Sequence, residues 1–390
     1  MQCIERFEEI YGKSPDNIAF CPYRVCPIGA HSDHNLGKIT GFAIDKGIHI
    51  AYKVKKNGVV ELCSLQFGKR AQWHVREVAD SKQNDWADYL RGVSEELGRR
   101  YPLVYGISGV IEGSLPIGGL SSSAAVCISF ALALCEANSI KLTPQELIAV
   151  AVGAENNYVG VSCGQLDQSC EVYSRKDNLL YLDCKDDSYE LIPLASSMKP
   201  FKIAIFFSGV ERSLAGSAFN MRVDEARSAA YALKAFAGMD YGKFKETNLR
   251  EVSVDQFEEL KHLLPDTWRK RAEHWYGEFR RVEAGAEAFR RGDIESYGRY
   301  SFESGRSSIE LWETGSPELK SLYEIMTHTD GIYGGRFSGA GFKGCCMALI
   351  DPSYEESIIS KVSDEYLKIF PKLNGKYQAV ICDTADGVII

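Results

Sequence analysis

The chain has 390 residues, 45% of them hydrophobic and 25% charged, and a formal net charge of −8. That composition fits a soluble globular protein with room for two cores, and the acidic balance gives no basic field for nucleic acid or an anionic membrane. The 12 cysteines include no Cys-x-x-Cys pair, which speaks against a zinc ribbon or thioredoxin motif. With no signal-like segment and no long apolar span, they are expected to be reduced thiols of a cytoplasmic protein.

In chain order, Asn17 to Val25 and Phe42 to Val54 read as strands from their apolar alternation and β-branched or aromatic content. Asp85 to Leu97 has helical spacing, with Trp86, Tyr89, Leu90, Val93 and Leu97 on one side, and Val104 to Ile111 is again strand-like. A small-residue helix is expected from Ala124 to Ala137, stopping at Asn138. Thr143 can cap the next helix, with Pro144 in its first turn and Glu146 closing a capping box. It should run to about Tyr158 and stop near Gly160.

The pattern loosens from Leu191 to Pro200, and a strand follows from Phe201 to Phe207. We place a domain boundary there, giving units 1–198 and 199–390. Helices are expected over Phe219 to Leu233, Trp268 to Arg290, Ile294 to Leu311 and Pro317 to Thr327. A strand from Cys345 to Ile350, a helix and a last strand from Ala379 to Cys382 complete the chain. Strands and helices do not alternate regularly enough for a doubly wound sheet, so the class is α+β in two domains.

Four segments concentrate chemistry. In Pro116-Ile117-Gly118-Gly119-Leu120-Ser121-Ser122-Ser123-Ala124-Ala125, a glycine turn with three hydroxyls opens onto a helix N-terminus. Unpaired N–H groups and the positive helix end there attract phosphate, beyond what a capping serine needs. Arg24 ends a strand before Gly29-Ala30-His31-Ser32-Asp33-His34, a density of hydroxyl-pairing groups that suits a sugar. A metal at His31 and His34 lacks further ligands. In the third segment Glu155 sits late on the capped helix, and Asp167 lies in a loop between Gly164 and Gln168. The two acids suit a magnesium ligand and a base.

The fourth, Gly334-Gly335-Arg336-Phe337-Ser338-Gly339-Ala340-Gly341-Phe342-Lys343-Gly344, contains a literal G-x-G-x-x-G. It precedes a strand and not a helix, so the dinucleotide reading fails. It reads as a glycine loop able to bring backbone close to a ligand or to another loop.

With these segments in this order, the chain resembles the GHMP-family sugar kinases of the galactokinase branch over nearly its whole length. The resemblance implies a ribosomal-S5-like N-terminal domain, a ferredoxin-like C-terminal domain and an active site between them that uses ATP and Mg²⁺. It implies Asp167 as catalytic aspartate and Arg24 as its neighbouring arginine. Ser123 and Glu155 would bind Mg²⁺. Gly118, Gly119, Leu120, Ser121, Ser122, Ser123 and Ala124 would hold the nucleotide phosphates, and Trp86 would line the adenine pocket or simply pack in the core. Ala30, His31, Asp33, Gly164 and Phe219 would face the sugar.

One departure bears on the substrate. Galactokinases carry a glutamate against the sugar 6-hydroxyl where this chain has Ala30. Two like charges about 4 Å apart repel by roughly 4 kcal/mol at an effective dielectric near 20, on the order of a thousandfold in binding. A site for a C6 carboxylate must lack that glutamate. Phe219-Asn220-Met221-Arg222 and Gly341-Phe342-Lys343-Gly344-Cys345-Cys346 also resemble the galacturonokinases more than the galactokinases. The expected substrate is therefore D-galacturonate, phosphorylated at its anomeric hydroxyl, with galactose as the alternative. Arg212, Arg222 and Lys343 are the candidate partners of the carboxylate. A non-catalytic sugar sensor is disfavoured, because the phosphate turn, Glu155 and Asp167 are all present.

Overall fold

The computed structural model describes residues 1–210 and 216–388. The first half opens with helix α1 (Gln2–Tyr11) and strands β1 (Asn17–Val25), β2 (Lys38–Lys55), β3 (Val59–Ser64) and β4 (Lys69–His74). Helix α2 (Asp88–Gly98), strand β5 (Gly106–Gly113), and helices α3 (Ser122–Ala137), α4 (Pro144–Gly153) and α5 (Leu166–Tyr173) follow. The hairpin of β6 (Asn178–Asp183) and β7 (Ser188–Pro193) closes this half.

The second half runs through β8 (Lys202–Phe207) and helices α6 (Gly216–Phe236), α7 (Val254–Leu260), α8 (Asp266–Arg290), α9 (Ile294–Glu310) and α10 (Pro317–Thr327). It ends with β9 (Ile332–Phe337), β10 (Cys345–Ile350), α11 (Glu355–Ile369), β11 (Gln378–Cys382) and β12 (Thr384–Ala385). Among the described residues, no helix is long and apolar enough to cross a membrane.

Strand β2 is the spine of the first sheet, whose main path runs β4-β3-β5-β2-β6-β7. Its 18 residues pair with β1 and β5 along one stretch, with β6 at Lys38 to Gly41, and with β12 at Ala43 and Ile44. The chain's last strand thus returns to the first sheet. Helix α3 lies against β1 and β2. Its Ala124, Ala125, Ala131 and Ala133 are fully buried, because small side chains let a helix be enclosed by a sheet and three other helices.

The second sheet, β11-β8-β10-β9, is antiparallel and sorts its residues by strand alternation. Ile203, Ile205 and Phe207 of β8, with Cys345, Met347 and Leu349 of β10, join the core of the first half. The intervening Ala204, Phe206, Cys346, Ala348 and Ile350 pack under α10 and α11.

Three expectations are corrected. Asp167 lies in the first turn of α5 and not in a loop. The glycine segment begins as strand β9, so only residues 338–344 form the loop. The capped helix is α-helical to Gly153 and continues as a π-helical turn over Ala154–Val159 before Gly160 ends it in the left-handed region. Its capping box of Thr143 and Glu146 forms as read.

Helix α8 clamps the turn after β1. Glu278 accepts the Gly29 N–H at 2.6 Å, His274 Nε2 donates to the Ala30 carbonyl at 3.1 Å, and Trp275 donates to Ser32 O at 3.0 Å. Because the Ala30 carbonyl can only accept, His274 carries its proton on Nε2, and Nδ1 accepts from Ser307 Oγ at 2.8 Å. Burial, ahead of the neighbouring arginines, lowers His274 from 6.5 to about 4. A folded value below the unfolded one gives stability that is complete above pH 6.5 and is lost as pH falls towards 4. Urea unfolding from pH 7.5 to 4 should show wild type losing on the order of 2–3 kcal/mol more than His274→Gln. Parallel pH profiles for the two proteins would remove this role for His274.

Candidate active site

Four groups from both halves of the chain meet on one guanidinium. Arg24, the penultimate residue of strand β1, is 2% exposed. Its Nε lies 2.7 Å and its Nη2 2.6 Å from Asp167 Oδ1. Nη1 donates to Gly119 O at 3.3 Å and to Ser338 Oγ at 3.4 Å, and Nη2 donates to Ser121 Oγ. Burial works against the arginine's charge, but Asp167 outweighs it and the net shift is upward, so Arg24 stays charged. Both contacts to Asp167 use Oδ1. Among the described residues Oδ2 has no hydrogen-bond partner, and the side chain is 29% exposed.

The phosphate turn is built by close backbone approach. A Cβ on Gly119, whose φ is +87°, would lie 2.5 Å from Cys345 Sγ, and one on Gly344 would lie 2.8 Å from Gly118 C. The fourth segment's glycines therefore serve another loop: 338–344 packs on 118–119 without room for side chains. Ser121 precedes α3 in the left-handed region, with φ +54°, and makes no side-chain cap. Its hydroxyl is turned to Arg24. The first turn of α3, with Ser122, Ser123 and Ala124, is left without a protein cap, as an anion site requires.

On the sugar side, Asp33 Oδ2 accepts the Leu166 N–H at 3.1 Å and so sets the start of the helix carrying Asp167. Burial opposes its charge, but His34 and the N–H groups of Leu166 and His34 outweigh burial and draw the carboxyl below its ordinary value. Gly164 is required at this contact, since a Cβ would lie 2.3 Å from Asp33 Oδ2. His31 lies 6.3 Å from Phe219, centroid to centroid. Burial, then Arg336 and two histidines, push His31 well below 6.5, so it is neutral at pH 7.

Glu155, 4% exposed in the π-helical turn, accepts from Gln168 Nε2 at 2.6 Å. Among the described residues no group of three or more His, Cys, Asp or Glu gathers as a metal site. A buried, oriented carboxylate nevertheless fits Mg²⁺, which takes one or two protein ligands and completes its shell with phosphate and water. Trp86 stands apart from this assembly: partly buried just before α2, it stacks on Phe67 at 6.1 Å.

Sequence reasoning missed Ser338 and Gln168, which lie inside quoted segments but look like spacers. It also missed His274 and Glu278, whose roles depend on which turn α8 meets. Arg212 lies outside the described residues.

Comparison with known proteins agrees with this architecture. Residues 5–54 match the galactokinase galactose-binding signature, residues 88–175 the GHMP kinases N terminal domain, and residues 286–368 the GHMP kinases C terminal domain. The galacturonokinase of Arabidopsis thaliana is 37% identical over 96% of this chain and 93% of its own length. The chain belongs to the GHMP kinase family, in its galactokinase branch.

The galactokinase of Roseiflexus sp. is 33% identical, over 98% of this chain and 95% of the relative. The crystal structure of Lactococcus lactis galactokinase complexed with galactose superposes with a TM-score of 0.88 at 26% identity, covering 98% and 97% of the two chains. The chain is thus a sugar kinase with the two-domain α+β fold of this family, and ATP is the family's phosphoryl donor.

Gly119→Ala should cost about 2–3 kcal/mol, from the strained φ and the Cys345 contact. It should also raise the KM for ATP more than that for sugar, read by thermal unfolding and steady-state kinetics. An unchanged ATP KM in a folded variant would show that the turn does not hold the nucleotide.

Proposed function

We propose that this chain transfers the γ-phosphoryl group of ATP to the anomeric hydroxyl of D-galacturonate. The observation that carries the substrate is Ala30. It sits in the sugar signature, buried beside His31, where galactokinases place a carboxylate that would repel a uronate. The galacturonokinase relative from Arabidopsis thaliana, aligned over 96% of this chain, supports the same reading. Galactose is the second reading, supported by the galactokinase relatives and by the likeness to a galactose complex.

Phosphoryl transfer needs position and charge more than covalent help. In this proposal the uncapped N-terminus of α3, with residues 118–124, holds the phosphates. Ser123 and Glu155 would hold Mg²⁺, which would neutralise phosphate charge when bound. Asp167 Oδ2 orients the sugar 1-OH and takes its proton, while Arg24 keeps Oδ1 occupied and adds positive charge beside the transferring group. Asp33, His31, Gly164 and Phe219 pack around the sugar, and Trp86 with Phe67 flanks the adenine.

Of the candidate cations, Arg222 lies 3.0 Å from Glu225 and 3.9 Å from Glu313, so its charge is already shared by two carboxylates. A full ion pair with substrate at Arg222 would have to compete with them.

Asp167→Asn should lower kcat by at least about a hundredfold while ATP still binds, and full turnover would remove its assigned role. Ala30→Glu should lower kcat/KM for galacturonate by roughly a thousandfold and leave galactose far less affected. Equal losses on both sugars would mean that position 30 does not set the choice.

A further inference from the structure

The aromatic cluster beside Ala30 holds hydrogen-bonding capacity that the protein itself does not use. His31 lies flat against Trp312, with centroids 5.3 Å apart and planes 6° apart. His34 meets the same indole at 5.5 Å, and Phe219 sits 6.3 Å from His31 and 6.4 Å from His34. His274, 5.3 Å from Trp312, ties the cluster to the Ala30 carbonyl.

Trp312 is fully buried, and its Nε1 has no partner among the described residues. His31 Nε2 and His34 Nε2 are in the same condition, while His34 Nδ1 makes no hydrogen bond but lies 3.8 Å from Asp33 Oδ1. Other buried nitrogen-bearing rings are satisfied. Trp275 donates to Ser32 O at 3.0 Å, Trp73 donates to Ser94 Oγ at 3.0 Å, and both nitrogens of His274 are bonded. An unpaired buried donor costs on the order of 1–3 kcal/mol, so it calls for an acceptor that the protein does not supply, a bound water or a ligand.

The chemistry of that acceptor can be read from the donors. An indole N–H only donates, and a carboxylate only accepts. A sugar hydroxymethyl is served by an acceptor, the part played by the glutamate that galactokinases carry where Ala30 stands. Here the acceptor is trimmed to a methyl group while a donor stands unpaired in the adjoining cluster. The two features answer the same ligand group.

We propose that Trp312 determines substrate specificity: its Nε1–H donates to the C6 carboxylate of the uronic acid, with His31 Nε2 beside it. This inference rests on the galacturonate reading and names the group that recognises the carboxylate. It also removes the need for a full cation there. A neutral donor set binds a carboxylate without the desolvation that a buried counter-ion would add.

Trp312→Phe keeps an aromatic ring against His31 and removes the N–H together with the five-membered ring that carries it. It should raise the KM for galacturonate about tenfold, with kcat and the ATP KM nearly unchanged. An unchanged galacturonate KM would overturn the proposal. Should the variant fail to fold, wild-type protein labelled with ¹⁵N at its five tryptophan indoles decides the matter. Titration with galacturonate, without nucleotide, should move one indole N–H signal downfield, and galactose at equal occupancy should move it less. Indole signals that galacturonate leaves in place would overturn the assignment even if galacturonate is turned over. Turnover of galactose alone by wild type would instead bring down the galacturonate reading and this inference with it.

Discussion

The buried guanidinium of Arg24 is the constraint on which the site depends. One side chain at the end of β1 holds the aspartate of α5, the hydroxyl that precedes α3, the Gly119 carbonyl and Ser338 from the second half. A charge that far from water is tolerable only because Asp167 and several oxygens surround it. The same contacts fix the distance between the anion site and the carboxylate that would face the acceptor hydroxyl. Positioning of this kind is most of what a phosphotransferase has to supply.

Two further devices keep the halves in register. Loop 338–344 and the turn at 118–119 meet backbone to backbone, which only glycine permits on both sides. Helix α8 holds the signature turn through Glu278, His274 and Trp275, and Glu278 is itself braced by Arg281 and Ser304. Buried arginine, shared glycine contact and helix clamp each join residues far apart in sequence, so the site exists only in the assembled fold.

Much of this was legible in the residues, and the reasons it stopped where it did are physical. Strands such as β1 and β8 and the capping box at Thr143 are local patterns, and they appear where read. The turn at residues 116–121 was legible as a turn opening onto α3 because glycine, proline and serine each have a conformational use there. Asp167 was assigned to a loop because Gly164 lowers helix propensity just before it, whereas Asp33 caps the helix from 133 residues away. Strand β9 was hidden because its two glycines lack the side chains by which strands are recognised, and they are needed for close packing against α9 and β10. The setting of Trp312 was invisible because nothing in Leu311-Trp312-Glu313 says which ring it meets or that its N–H goes unpaired.

At the sugar end, selectivity on this account comes from the removal of a charge at position 30 together with unpaired donors around it, and not from a dedicated counter-ion. The most direct test of that claim is the ratio of kcat/KM for galacturonate to that for galactose, measured on the wild-type enzyme with saturating Mg-ATP by ADP release. The account predicts a ratio well above one, on the order of a hundredfold or more. A ratio at or below one would contradict it and return the chain to the galactose-specific members of its family.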